Sequence, residues 1–137
     1  MARILAVDYG KKRTGLAVTD PLQLIAGGLC TVPTVQLIEY LTTYLSENEV
    51  ETIVVGYPRQ MNGEDSENMK RITPFVNRIT KLFPAVRIEM FDERFTSVIA
   101  HHVMIDSGIS RTQRRDKALV DKISATIILE DYLQSRL

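Results

Sequence analysis

The sequence predicts an α/β fold: a mixed five-stranded sheet with helices on both faces, in the order β-β-β-α-β-α-β-α. Three observations predict it. Residues 3–9 and 14–19 are apolar, β-branched runs joined by "GKKR", the pattern of a β-hairpin. Farther on, the short apolar runs "ETIVVGYP" and "VRIEMFDE" alternate with longer segments whose apolar residues recur at helical spacing. Such alternation demands parallel strands and right-handed crossovers. The simplest sheet that meets both patterns has strand 3–8 in its centre, between its hairpin partner and a parallel strand.

The elements follow in chain order. After the hairpin, "LIAGGLCTV" is a weaker strand, because Gly27 and Gly28 interrupt it at a bend or bulge. "VQLIEYLTTYLSEN" places Leu37, Ile38, Leu41, Tyr44 and Leu45 at helical spacing, which predicts an amphipathic helix over about 35–48. "ETIVVGYP" is a buried strand stopped by Gly56 and Pro58, and "RQMNGEDS" is a loop that turns at Asn62-Gly63. A second helix is expected after Ser66, with Glu67 in its first turn and Phe75, Ile79 and Leu82 facing inward. Pro74 should kink that helix or delay its start. "VRIEMFDE", residues 86–93, is the last strand. "TSVIAHHVMIDSG" is an additional helix ended by Gly108, and the final helix covers about 117–135.

At 137 residues the chain suits a single domain, residues 1–137, with one proper core. Its 45% hydrophobic and 25% charged content is that of a soluble globular protein, and no apolar stretch is long enough to span a membrane. Charges at Asp8, Lys11, Lys12 and Arg13 interrupt any signal-peptide pattern. The one cysteine, Cys30, excludes an internal disulfide, suits a reducing cytoplasm, and is expected to be buried and inert. A net charge of zero argues against a protein that coats nucleic acid nonspecifically. Locally, however, "KKR" at 11–13 and "RTQRRDK" at 111–117 hold seven of the seventeen basic residues. Either segment alone is equally well a solvated loop.

Three carboxylates stand out. Asp8 ends an apolar run at the carboxyl end of the central strand, and the alternation Ile4, Ala6, Asp8 puts it on an otherwise apolar face. Glu93 ends the last strand on the same edge, while Asp92 points to the opposite face. Asp121 shares a helix flank with Ala125, Ile128 and Tyr132, where an unpaired carboxylate is costly. Each also has a plain structural reading. Asp8 can cap the hairpin, Glu93 can pair with Arg94 or Arg87, and Asp121 can bridge to Lys117 at i−4. Together the three converge on one end of the sheet, where ligands gather in folds of this kind. Like charges held together call for a cation, and carboxylate oxygens suit hard ions such as Mg²⁺ or Mn²⁺. Two such ions about 4 Å apart can stabilise both the attacking and the leaving oxygen of a phosphodiester displacement. His101 and His102 are adjacent on the helix over 96–107, so only one can face inward and they form no paired metal site. Lys122 reads as a surface or phosphate-contacting residue rather than a catalytic base.

"LAVDYGKKRTGLAVTD", "IVVGYPRQMNG", "FDERFTS" and "VDKISATIILEDYL" resemble the YqgF family, proteins described as Holliday junction resolvase-like or as nucleases of pre-16S ribosomal RNA. The resemblance covers essentially the whole chain and implies an RNase H-like fold similar to that of the RuvC resolvases. It implies that the family's acidic triad falls on Asp8, Glu93 and Asp121, that these bind Mg²⁺ or Mn²⁺, and that they support phosphodiester hydrolysis. Gly10 and Gly15 match the glycines of the first hairpin, Arg94 the arginine after the glutamate, and Arg13 the basic residue of the hairpin loop. Phe95, Ser97 and Asp116 depart from the family's usual residues without touching the triad.

On this reading Lys11, Lys12, Arg13, Arg94, Arg111, Arg114 and Arg115 contact phosphates, which fixes register and affinity but carries no sequence information. The implied partner is nucleic acid, RNA before DNA, in a ribosomal precursor. Trimming such an RNA needs only one active site, whereas symmetric cutting of a DNA junction calls for two and so a homodimer; the sequence leaves monomer and homodimer open. No base-stacking aromatic cluster is visible in the sequence. Two rivals remain at this level. Actin-like and sugar-kinase ATPases share the D-x-G-x-x-x-x-G hairpin but need two lobes, and 137 residues supply one. A binding module that keeps the carboxylates without cleaving is the other.

Overall fold

A computed structural model describes residues 2–58, 69–93 and 117–136, together with the backbone but not the side chains of Pro58, Met69, Asp92, Glu93 and Lys117. Strands β1 (Arg3–Asp8), β2 (Arg13–Thr19), β3 (Ala26–Pro33), β4 (Val50–Pro58) and β5 (Arg87–Glu93) form one sheet in the order β3-β2-β1-β4-β5. β1 pairs antiparallel with β2 and parallel with β4, and β4 pairs parallel with β5. The central position expected for strand 3–8 is therefore the observed one. The bulge expected at the glycines is present too: Leu16 faces Cys30 and Ala17 faces Gly28, which leaves Leu29 as the extra residue.

Alternation along the strands builds two cores. Leu5 and Val7 of β1 and Ile53 and Val55 of β4 face one way. There they meet Leu37 and Leu41 of helix α1 (Leu37–Glu47) and Ile72, Phe75 and Ile79 of helix α2 (Met69–Leu82). Ile4, Ala6, Ala17 and Val54 face the other way, onto Ala125, Ile128, Leu129 and Tyr132 of helix α3 (Lys117–Ser135). Helices thus cover both faces, as the strand parity requires.

Some local expectations need correction. The helix predicted from residue 35 opens with a 3-10 turn, Thr34–Gln36, and Val35 is 93% exposed. Leu82 was expected to face inward but is 48% exposed, because it ends α2 after Ile72, Phe75 and Ile79 have completed the buried stripe. α2 runs through Pro74 instead of starting at it. Cys30 is half-buried rather than buried. The loop at Asn62-Gly63, the start of α2 at Ser66 and Glu67, and the helix over 96–107 with His101 and His102 lie outside the described residues. Among the described residues no helix is long and apolar enough to cross a membrane.

Candidate metal and nucleic-acid site

The site is built where β1 ends. Asp8 pairs across β1 and β2 with Gly15 and across β1 and β4 with Gly56. It follows Ile4 and Ala6 on the face that α3 covers, and it is half-buried. The backbone of Glu93 ends β5 opposite Pro58, so the parallel strands carrying Asp8 and Glu93 finish on one edge of the sheet. The Glu93 carboxylate is not among the described side chains.

Asp121 reaches this edge because Gly15 lets α3 approach. A Cβ on Gly15 would overlap the Asp121 carbonyl group, so the helix backbone rests directly on the strand. Asp8 and Asp121 consequently flank Gly15 on the same face, at the same end. Thr31 Oγ1 donates to the Ala118 carbonyl at 2.6 Å and ties β3 to the first turn of α3. The apolar flank read from the sequence is real: Ala125, Ile128 and Tyr132 are buried.

One cation beside Asp121 comes from the first hairpin; the Lys117 side chain, offered by its own helix, lies outside the described ones. Arg13 Nε donates to Asp121 Oδ2 at 2.9 Å, across 108 residues of sequence. Arg13, expected above to contact phosphate, is therefore also a counter-ion to Asp121, one of the three carboxylates the resemblance singles out. The two side chains are 38% and 24% exposed, so water screens the pair and it contributes little to stability. Gly10, Lys11, Lys12, Arg13 and Asp121 line an open pocket of about 390 Å³. Lys11 and Lys12 are exposed at its rim. The loop is fixed from behind, where Thr34 Oγ1 donates to the Gly10 carbonyl at 2.6 Å and Thr34 N–H to the Lys12 carbonyl at 3.0 Å. Arg94, Arg111, Arg114 and Arg115 lie outside the described residues.

The donor set fits a hard divalent cation. Asp8 and Asp121 offer carboxylate oxygens on a face that is otherwise apolar, and Asp121 already draws a guanidinium. Among the described residues no three such ligands cluster, and the third carboxylate, on Glu93, falls outside them. Tyr9 and Phe75 form a pair that sequence reading missed. Their ring centroids are 4.8 Å apart although 66 positions separate them, and only the α2 packing reveals it.

Residues 2–135 match the family described as "RuvX: Holliday junction resolvase". The chain belongs to that family. A relative from Phocaeicola vulgatus is 58% identical over 99% of this chain and 98% of its own length, and is named "Putative pre-16S rRNA nuclease". A protein of the same name from Bacteroides thetaiotaomicron is 56% identical over 99% of both chains. Among solved structures, T. thermophilus RuvC in complex with a Holliday junction substrate aligns with a TM-score of 0.52, over 99% of this chain and 96% of that one. At 16% identity that likeness shows the fold, and it bears out the RNase H-like architecture expected from the sequence.

Proposed function

We propose that this RuvX-family protein is a metal-dependent nuclease that hydrolyses phosphodiester bonds in structured RNA, with a ribosomal precursor as its substrate. The observation that carries the reading is the meeting of Asp8 and Asp121 across Gly15, beside the basic loop of Lys11, Lys12 and Arg13. The names of the close relatives support the choice of substrate.

Asp8, Glu93 and Asp121 would hold Mg²⁺ or Mn²⁺. When bound, such an ion supplies Lewis-acid stabilisation of phosphate oxygens and an activated water. The chain's own residues do the rest. Asp8 and Asp121 supply fixed carboxylates, Gly15 sets their separation, and the apolar packing of α3 keeps bulk water from the inner side of the site. Lys11 and Lys12 contact phosphates flanking the scissile one, and Arg94, Arg111, Arg114 and Arg115 have the same role. Arg13 holds Asp121 in place and neutralises it until the substrate assembly forms. The protein acts in the cytoplasm as one domain, in a monomer or a homodimer.

The test is cleavage of two matched substrates by purified protein with Mg²⁺ or Mn²⁺: a precursor 16S ribosomal RNA fragment and a four-way DNA junction. Preferential cutting of the RNA supports the reading. Preferential symmetric cutting of the junction would replace it with resolvase activity, and binding of either without turnover would replace it with a silent binding module.

A further inference from the structure

A second groove opens at the same end of the sheet but on the face that α1 and α2 cover, with a volume of about 510 Å³. Tyr9 and Phe75 lie side by side in it, Arg71 and Arg78 flank it from α2, and Val35 and Glu39 flank it from the α1 side. We propose that this groove binds a single-stranded segment of the nucleic acid that passes the carboxylate site. The inference rests on the nuclease reading above and extends the substrate path beyond the scissile phosphate.

Continuity is the first argument. Tyr9 follows Asp8 directly, and the Gly10–Lys12 loop separates the groove from the pocket at Asp121. Thr34, which holds that loop through Gly10 and Lys12, also lines the groove. A strand lying on Lys11 and Lys12 therefore has only to cross the loop to enter it.

Charge is the second. Arg71 and Arg78 are exposed, and neither forms an ion pair among the described residues. Seven residues apart, they stand on one side of α2, about 10 Å apart along its axis. Among the described lining residues two guanidiniums face one carboxylate, Glu39, a net positive balance. Both helices also point their N-terminal ends at this edge, and Gln36 makes no side-chain cap bond to the first turn of α1. Their dipoles add to the attraction for phosphate.

Shape is the third. The half-buried Tyr9 ring, backed by the buried Phe75 ring, gives a base a surface to stack on without regard to sequence, and Val35, at 93% exposed, extends the apolar rim. A base can reach such a surface only when it is free of a pairing partner, which selects a single strand over a duplex.

The experiment is fluorescence anisotropy of a labelled 12-nucleotide single-stranded RNA, titrated at several salt concentrations in EDTA so that binding is read without cleavage. The variant Arg71→Ala/Arg78→Ala is compared with the charge-matched Lys81→Ala/Arg87→Ala, whose residues lie at the far end of the sheet. The groove variant should bind about tenfold more weakly, and its salt slope should fall by roughly 0.7 per lost phosphate contact, about 1.4 in all. The control should stay within about twofold of the wild type. Tyr9→Leu should weaken single-strand binding at least about fivefold with the salt slope unchanged, through lost stacking. Equal loss in the two double variants, or no loss in the groove variant, overturns the proposal. Because no cleavage is scored, a failure of the nuclease reading would show in the substrate test and leave this result to stand or fall by itself.

Discussion

Replacing Gly15 with alanine should damage activity more than stability. Alanine suits a strand at least as well as glycine, so the local backbone does not object. The obstacle is the Asp121 backbone, which an added Cβ would overlap. Backbone cannot rotate out of the way as a side chain can, so α3 must retreat by on the order of 1 Å to restore van der Waals separation. Overpacking of this kind costs about 1–3 kcal/mol, or roughly 3–15 °C in Tm for a chain of this size. A displacement of about 1 Å in a catalytic group can cost about a hundredfold in rate. Gly28→Ala is the matched comparison. There the nearest atoms are Lys122 Cγ at 2.8 Å, Lys122 Cδ at 3.1 Å and Thr126 Oγ1 at 3.2 Å, side-chain atoms that can rotate where backbone cannot. Cleavage rates and melting curves of both variants, side by side, are the assay. Gly15→Ala should lose about a hundredfold in kcat, and Gly28→Ala less than about threefold. A Gly15→Ala protein that melts and cuts like the wild type would refute the claim that this contact sets the position of Asp121.

Asp20 accepts hydrogen bonds from the Ile25, Leu24 and Leu22 amides, and these hold its pKa below the ordinary 3.8, chiefly through Ile25. A depressed folded-state pKa adds stability above the unfolded value that is lost as pH falls through the folded one. Tm of the wild type and of Asp20→Asn should therefore differ at pH 7 and converge as pH falls below 3.8 through the lowered folded-state pKa. Tyr132→Phe should cost about 0.5–1.5 kcal/mol in urea unfolding, because it keeps the edge-to-face contact with Phe91 and loses the hydrogen bond to Glu89. Arg13→Gln should leave Tm within about 2 °C, since the ion pair is screened. It should also tighten Mn²⁺ binding in calorimetry, because a competing cation has gone, while RNA cleavage falls.

Much of this was legible in the sequence for identifiable reasons. Asp8 broke the apolar parity of β1, and Asp121 sat on the flank of Ala125 and Ile128, so burial alone marked both. The hairpin and the two crossovers required a central β1. What escaped were contacts between distant segments. The helix offered Lys117 as a partner of Asp121, and nothing local pointed to Arg13, 108 positions away. Gly15 read only as a strand residue matching a family glycine, yet its strictest demand comes from a helix more than a hundred residues away. Tyr9 and Phe75 were two unrelated aromatics until α2 packed across the sheet. Exposure at element ends, as at Val35 and Leu82, depends on where the neighbouring layer stops, and helical periodicity does not carry that information.

The most direct test of the carboxylate site is one pair of measurements on Asp8→Asn: Mn²⁺ binding by calorimetry and cleavage of the precursor RNA fragment. The account predicts that the variant keeps its fold and melting temperature, loses metal affinity by at least about tenfold, and does not cut. An Asp8→Asn protein that binds Mn²⁺ and cleaves at the wild-type rate would contradict it.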